Sequence, residues 1–218
     1  MRLGSDDFLD KYLLAYDQWL AKGLISFSSR VIPLARSFEP SQRVVPGELA
    51  WELLAQAESL AVQDCVCRSH YQRCDHPRDV CLLMDGVADK LTEKGAARRI
   101  CLDEARAILD RAERSGLVHL CLYMPDHRVF ALCSCCVCCC HDLQLVMRYG
   151  RQDLLVRSEY RAVTDGEACS RCGECVTRCP FHARDLDENG ITLKAEVCLG
   201  CGLCVSVCPS GAVAMVRI

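Results

Sequence analysis

The chain has 218 residues, a formal net charge of −3 and 20 cysteines. That length bounds it to one or two domains, and the near-neutral charge excludes the broad basic surface that nucleic acids require. The start has acids at Asp6 and Asp7 where a secretory leader would turn apolar, and the longest uncharged apolar run, Val129 to Cys140, is too short to span a membrane. A cytoplasmic protein with no membrane span and no nucleic-acid partner is therefore expected, its cysteines metal thiolates rather than disulfides.

Asp7 to Lys22 places Phe8, Leu9, Tyr12, Leu13, Tyr16 and Leu20 at helical spacing before Gly23, which predicts an amphipathic helix with a packing role. A second helix is expected from Pro46-Gly47-Glu48, with Leu49, Leu53, Leu54 and Ala57 on one face. Ser59 to Cys67 sustains no helical face and reads as a strand. Leu102 to Ser115 returns to helical spacing and stops at Gly116. The runs LVHLCLYM and VFALCSC, joined by Pro-Asp-His-Arg, predict a β-hairpin over Leu117 to Cys135. His141 to Tyr149 forms a short helix closed by Gly150. Residues 151–163 are charged and aperiodic, so they read as a linker between a first domain, 1–150, and a second, 164–218. The expected class is α+β, with a helix-rich, cysteine-rich N-terminal domain that carries a small β-hairpin or sheet.

The strongest signal is a repeat. Cys169, Cys172, Cys175 and Cys179-Pro180 recur 29 residues later as Cys198, Cys201, Cys204 and Cys208-Pro209, both halves reading C-x2-C-x2-C-x3-C-P. Three closely spaced thiolates can wrap three corners of a [4Fe-4S] cube, but the chain then leaves in a helix and the fourth ligand must come from elsewhere. Gly173 and Gly202 follow the second cysteine of each half and open backbone conformations closed to other residues. Structural zinc or a redox dithiol is the alternative, disfavoured because zinc sites usually present paired Cys-x-x-Cys knuckles. Residues 164–218 thus resemble a bacterial ferredoxin domain with two [4Fe-4S] clusters. The resemblance implies one cluster on Cys169, Cys172, Cys175 and Cys208, and the other on Cys198, Cys201, Cys204 and Cys179. His182 and Arg184 stand where small or aliphatic residues are common and are expected at the surface, with tuning of that cluster or a partner contact as the alternative.

Twelve cysteines remain. Cys65, Cys67, Cys74 and Cys81 form one set, sufficient for one further cube, with zinc or no metal as alternatives. Cys133, Cys135, Cys136, Cys138, Cys139 and Cys140 form another. Adjacent thiols point in different directions, so these six could serve two sites, or one site and a redox pair. The run is expected to leave a strand and enter a helix N-terminus, where free amides favour thiolate. Soft-metal storage on adjacent thiols is chemically sensible but fits poorly beside a ferredoxin domain. Cys101 and Cys121 are isolated and read as structural. His70, His76 and His119 read as surface or core residues, His141 as the best exception because it adjoins the run, and Arg68 as either a charge screen or a solvated side chain.

The segments Cys65 to Arg68, Cys74 to Cys81 with Asp75-His76-Pro77, Gly116 to His119, Cys133 to Cys140 and Cys169 to Pro209 together resemble a group of iron-sulfur proteins from anaerobic microorganisms, over roughly residues 44–218. That resemblance implies further iron-sulfur chemistry in the first domain. No C-x3-C-x2-C, G-x-x-x-x-G-K, G-x-G-x-x-G or Cys-Cys-Gly motif is present, so radical-SAM, nucleotide, nicotinamide and flavin chemistry have no support. The expectation is an electron-transfer protein that relays single electrons to a further cluster or to a docked redox protein or enzyme. The alternative is an oxidoreductase whose N-terminal domain binds a small-molecule substrate at a cluster or a reactive cysteine pair.

Overall fold

The computed structural model describes residues 6–32, 47–124 and 128–218. Asp6 starts helix α1 (Asp7–Ala21) by accepting a hydrogen bond from Leu9 N at 3.1 Å, which satisfies an amide that has no partner within the helix. Leu9, Leu13 and Tyr16, spaced over two turns, form its buried stripe.

The next elements in chain order are strand β1 (Ser29–Ile32), helix α2 (Gly47–Gln56), strand β2 (Leu60–Asp64), helix α3 (Val66–Tyr71), strand β3 (Asp79–Met84), helix α4 (Asp85–Glu93) and strand β4 (Arg98–Arg99). Helix α5 (Leu102–Arg114), strands β5 (Val118–Tyr123) and β6 (Val129–Cys135), helix α6 (His141–Tyr149) and strand β7 (Leu155–Val156) follow. The strands form one seven-stranded sheet in the order β4-β2-β3-β6-β5-β1-β7, antiparallel except for the β1/β7 pair.

Side chains alternate between the two faces of this sheet. Leu60, Val62, Val80, Leu82, Met84, Cys121 and Leu132 face α2 and α5, whose Ala50, Leu54, Ala105, Ile108, Leu109 and Ala112 complete the larger core. Each buried leucine there contributes roughly 2 kcal/mol relative to exposure. On the other face the register sets Cys81 opposite Cys133 and Cys133 opposite Leu120. Ala61, Leu83 and Ala131 share that face with Cys81 and Cys133 and pack on Ala88 of α4.

The sheet is larger than the expected hairpin. Strand β3, Asp79-Val-Cys-Leu-Leu-Met84, is nearly continuously apolar because both its faces are buried, and such a run carries no alternation to announce it. The strand expected over Ser59 to Cys67 ends at Asp64, where the register shifts, and Cys65 then leads into α3. The helices over 7–22, 102–115 and 141–149 form within one residue of expectation at each end, and α2 begins at Gly47. Most of the Pro-Asp-His-Arg turn, and Pro46, lie outside the described residues.

Residues 151–163, read from the sequence as a linker, hold a 3-10 turn (Gln152–Leu154), β7 at the sheet edge, and the start of strand β8 (Tyr160–Thr164). Strand β8 pairs with the C-terminal strand β11 (Val213–Arg217). Between them lie helix α7 (Glu174–Thr177), the hairpin β9 (Arg184–Asp187) and β10 (Gly190–Leu193), and helix α8 (Leu203–Ser206). Among the described residues no helix is long and apolar enough to cross a membrane.

Candidate metal centres

Each half of the C-terminal repeat is built alike: a loop with three cysteines, a glycine at positive φ, one turn of helix, and a Cys-Pro exit. Gly173 (φ 78°) and Gly202 (φ 80°) sit immediately before α7 and α8 in the left-handed conformation that the sequence required of them. Gly200 is tighter still, because a β-carbon there would run into Tyr160 O and come within 2.7 Å of Ser158 Cβ.

Cys179, Cys198, Cys201 and Cys204 line one small cavity together with Phe181, Leu199 and Leu203. Burial, and the neighbouring thiols, push Cys204 up to about 11 as a free thiol. Cys175, Cys204 and Cys208 pack in a second apolar cluster with Val213 and Met215. Arg184, expected at the surface, is 2 % exposed. Its Nη1 donates to Thr164 Oγ1 at 2.8 Å and points at Cys175 Sγ, 3.7 Å away, while its Nη2 is buried with no hydrogen-bond partner. A buried guanidinium with no carboxylate partner is costly unless anionic sulfur surrounds it. Ala183 N donates to Cys179 Sγ at 3.3 Å, as a thiolate requires. These cysteines therefore fit thiolate ligation of an iron-sulfur group. Residues 161–211 match the 4Fe-4S dicluster domain family. A 30-residue stretch is also 53 % identical to a ferredoxin of Pyrobaculum islandicum, covering 14 % of this chain and 28 % of that ferredoxin. The chain thus contains a ferredoxin-type iron-sulfur domain near its C-terminus.

The ferredoxin domain is docked on the sheet. One buried cluster runs from Val118, Leu120, Cys135, Cys140 and Leu143 to Phe181, Leu199 and Leu203, with Cys179, Cys198 and Cys201 packed against it. Arg178 reaches across to the C-terminal carbonyls of α5, those of Glu113 and, at 2.9 Å, Arg114, where the helix dipole favours a cation.

In the N-terminal domain the sets seen in the sequence are redistributed. Cys74 leaves Cys65, Cys67 and Cys81 and joins Cys136, Cys138 and Cys139, the four sulfurs all lying within 4.8 Å of one another. The reason is local: after β6 the chain turns at 137–139, with Cys140 N bonded to Cys136 O at 3.0 Å, and this turn swings three thiols toward the loop carrying Cys74. Arg73 holds the turn through Cys138 O (3.1 Å) and Gln144 Oε1 (2.8 Å). Against the cost of burial, the His76 amide and the thiols of Cys138, Cys136 and Cys139 lower the Cys74 pKa.

Cys133, Cys135 and Cys140 turn the other way and meet Cys65, Cys67 and Cys81. Cys81 Sγ lies 3.0 Å from Cys133 Sγ. Cys133 interacts electrostatically with Cys135, Cys135 with Cys140, Cys140 with Cys67 and Cys67 with Cys65, so the six thiols form one electrostatically linked chain. Hydrogen bonds from Cys135 and Cys67 lead the causes that hold Cys140, at the N-terminus of α6, down to about 7, and the Leu143 amide adds to them.

Arg68, 1 % exposed, lies between the two groups. Its Nη2 donates to Ser134 O at 2.9 Å, its Nη1 lies 3.7 Å from Cys136 Sγ, and Cys65 and Cys135 are among its charge partners. His141 places Nδ1 3.0 Å from Cys67 Sγ and Nε2 2.8 Å from Tyr16 Oη. Burial opposes its charge, but Asp142 and Cys67 raise its pKa to about 9. His70 stacks on Phe8, and His119 is buried against Ser134 Oγ at 3.1 Å with burial pushing its pKa down to about 3, so neither reaches a thiol group. Cys121 is core and Cys101 is exposed at the start of α5.

Tyr12 and Tyr16, which the sequence marked only as packing, line a cavity beside the six thiols together with Trp19, which it did not single out. Their helical spacing is that of any core stripe, so no local signal separates the two roles. Arg184 had a signal in its departure from the small residues common after the first Cys-Pro, and the direction it points decided its role.

Proposed function

We propose that this chain is an iron-sulfur electron-transfer protein, in which the ferredoxin domain passes single electrons into the cysteine-rich domain or to a redox partner docked there. Cys169, Cys172, Cys175 and Cys208 would hold one cluster, and Cys198, Cys201, Cys204 and Cys179 another. Cys74, Cys136, Cys138 and Cys139 would hold a third metal group. A bound [4Fe-4S] cluster supplies a delocalised one-electron store whose potential is set by charge, hydrogen bonds to sulfur and solvent exposure.

The observation that carries this proposal is the continuous buried contact from Cys179, Cys198 and Cys201 to Cys135 and Cys140. Cys179 of the first motif and Cys198 and Cys201 of the second pack against the same apolar cluster as Cys135 and Cys140, which supports a short path between the two parts. Arg184 and Arg68 each set a fixed positive charge among thiols, which favours the more negative, reduced state. A second reading, a reductase that binds substrate in the N-terminal domain, is favoured by the cavity between α1 and the thiol-lined sheet face.

The test is a redox titration of anaerobically purified protein followed by EPR, beside Cys136→Ser and Cys139→Ser. About eight irons per chain are expected in the ferredoxin domain and at least about four more outside it. Both variants should keep direct reduction of the ferredoxin domain while losing onward transfer to a partner. Loss of ferredoxin-domain reduction in these variants, or unimpaired onward transfer, would overturn the relay.

A further inference from the structure

The six-thiol chain is separate from the quartet around Cys74 and opens into a cavity of about 320 Å3. All six cysteines line that cavity, while Tyr12, Tyr16 and Trp19 of α1 and Phe130 of β6 supply aromatic walls. A single zinc ion takes four thiolates and a cube takes four. Six lining one cavity, with Cys81 and Cys133 in direct contact, therefore suit a polynuclear site, as adjacent soft thiolates do generally. Arg68 supplies a permanent buried cation among them, which balances an anionic cluster.

Beneath α1 the cavity also combines aromatic, apolar walls with a few placed polar groups, as pockets for small organic molecules do. Asp142, 1 % exposed, is among the polar groups that line the cavity, with Ser28, Gln63, Ser134 and His141. Asp142 Oδ1 accepts from Ser28 Oγ at 3.0 Å, while its Oδ2 makes no hydrogen bond of normal geometry and faces His141 Nε2 at 3.7 Å, with the Tyr16 hydroxyl also interacting with the carboxylate. A buried carboxylate oxygen without a well-placed donor marks a place for one.

We propose that this chamber is a second metal-thiolate site, holding a polynuclear cluster on Cys65, Cys67, Cys81, Cys133, Cys135 and Cys140, and that the space beneath α1 takes a single-ring, uncharged aromatic molecule whose O–H or N–H is donated to Asp142. The ring lies among Tyr12, Tyr16 and Trp19, which favour offset or edge-to-face contact with a second ring. Asp142 selects against aromatic carboxylates, because two buried carboxylates repel. The ligand class deepens the reductase reading and rests on it, whereas the metal site stands without it.

The full chain, purified anaerobically and reconstituted with ferrous iron and sulfide, is tested in two variants. Cys81→Ser combined with Cys133→Ser should lose about four irons with matching acid-labile sulfide, while the ferredoxin-domain EPR signals remain. Ala15→Trp keeps every thiol but fills the cavity, since Ala15 lines it. Phenol and aniline, the smallest members of the class, should perturb the EPR spectrum of the reduced wild type and leave that of Ala15→Trp, with its full iron content, unchanged. Unchanged iron in the double variant overturns the metal site. Absence of any response in the wild type, or an equal response in Ala15→Trp, overturns the ligand chamber. The ferredoxin-domain signals, read in the same samples, show separately whether that domain is loaded and reduced, so its failure is distinguished from failure of the chamber.

Discussion

Arg184 Nη1 lies 3.7 Å from Cys175 Sγ, in the first cysteine motif, and the same guanidinium also interacts with Cys204 of the second. One buried positive charge thus serves both halves of the ferredoxin domain. Coulomb attraction at such distances stays appreciable away from bulk water. Replacing Arg184 with glutamine should make the domain harder to reduce, lowering midpoint potentials by on the order of 50–100 mV. Arg184→Lys should fall between. An EPR-monitored titration reads the shift, and equal potentials in all three proteins would show that the charge is screened.

Gly200 limits how closely β8 can approach the second motif. With φ +71° and Tyr160 O and Ser158 Cβ in the way of a β-carbon, Gly200→Ala should destabilise the protein by more than about 2 kcal/mol and lower its iron content. Gly166→Ala is the control, since nothing lies within 4 Å of a β-carbon there. Thermal melts and iron analysis of the pair would check it, and similar melts would refute it.

Asp6 caps α1 through Leu9 N and also accepts from Tyr71 Oη at 2.7 Å, tying α1 to α3. Loss of both bonds in Asp6→Ala should cost about 1–2 kcal/mol near neutral pH. Partial burial opposes ionisation, but the Tyr71 hydroxyl and the Leu9 and Phe8 amides outweigh it and lower the Asp6 pKa. The contribution is therefore full above the unfolded carboxylate pKa and is lost as pH falls through the lower folded value. Denaturation curves of wild type and Asp6→Ala should converge in acid. A gap constant down to the lowest pH would rule out a role for the ionised carboxylate.

The four thiols around Cys74 and the lone Cys101 give opposite expectations. Cys74→Ser combined with Cys136→Ser should remove about four irons if the quartet holds a cube, or about one zinc if it holds a single ion. Cys101→Ser, at an exposed position with no side-chain capping bond, should leave the metal content unchanged. Elemental analysis of the two variants decides which metal the quartet prefers.

Arg178 fastens the ferredoxin domain to the end of α5. Removing it in Arg178→Ala should cost about 1–3 kcal/mol in that contact and raise amide hydrogen exchange at the C-terminus of α5. The ferredoxin-domain iron should stay constant, because Arg178 bonds no cysteine among the described residues. Unaltered exchange would mean that the apolar contacts alone hold the two parts together.

The ferredoxin repeat was legible without a structure because its information is local: four cysteines at fixed spacing, a glycine that needs positive φ and a proline that ends the turn. Helices α1, α5 and α6 were legible for the same reason, through periodicity and stop signals a few residues apart. What tertiary structure alone decided depends on long-range register. Cys81 meets Cys133 only because β3 pairs with β6, and Cys74 meets Cys136, Cys138 and Cys139 only because the chain turns after Cys135. A strand alternates its side chains and a turn reverses them, so one run of six cysteines is divided between two groups of thiols. In one dimension Arg184 reads as a surface charge and Arg68 as either a charge screen or a solvated side chain; packing buries both among sulfurs, where an unpaired cation persists only if anionic partners surround it.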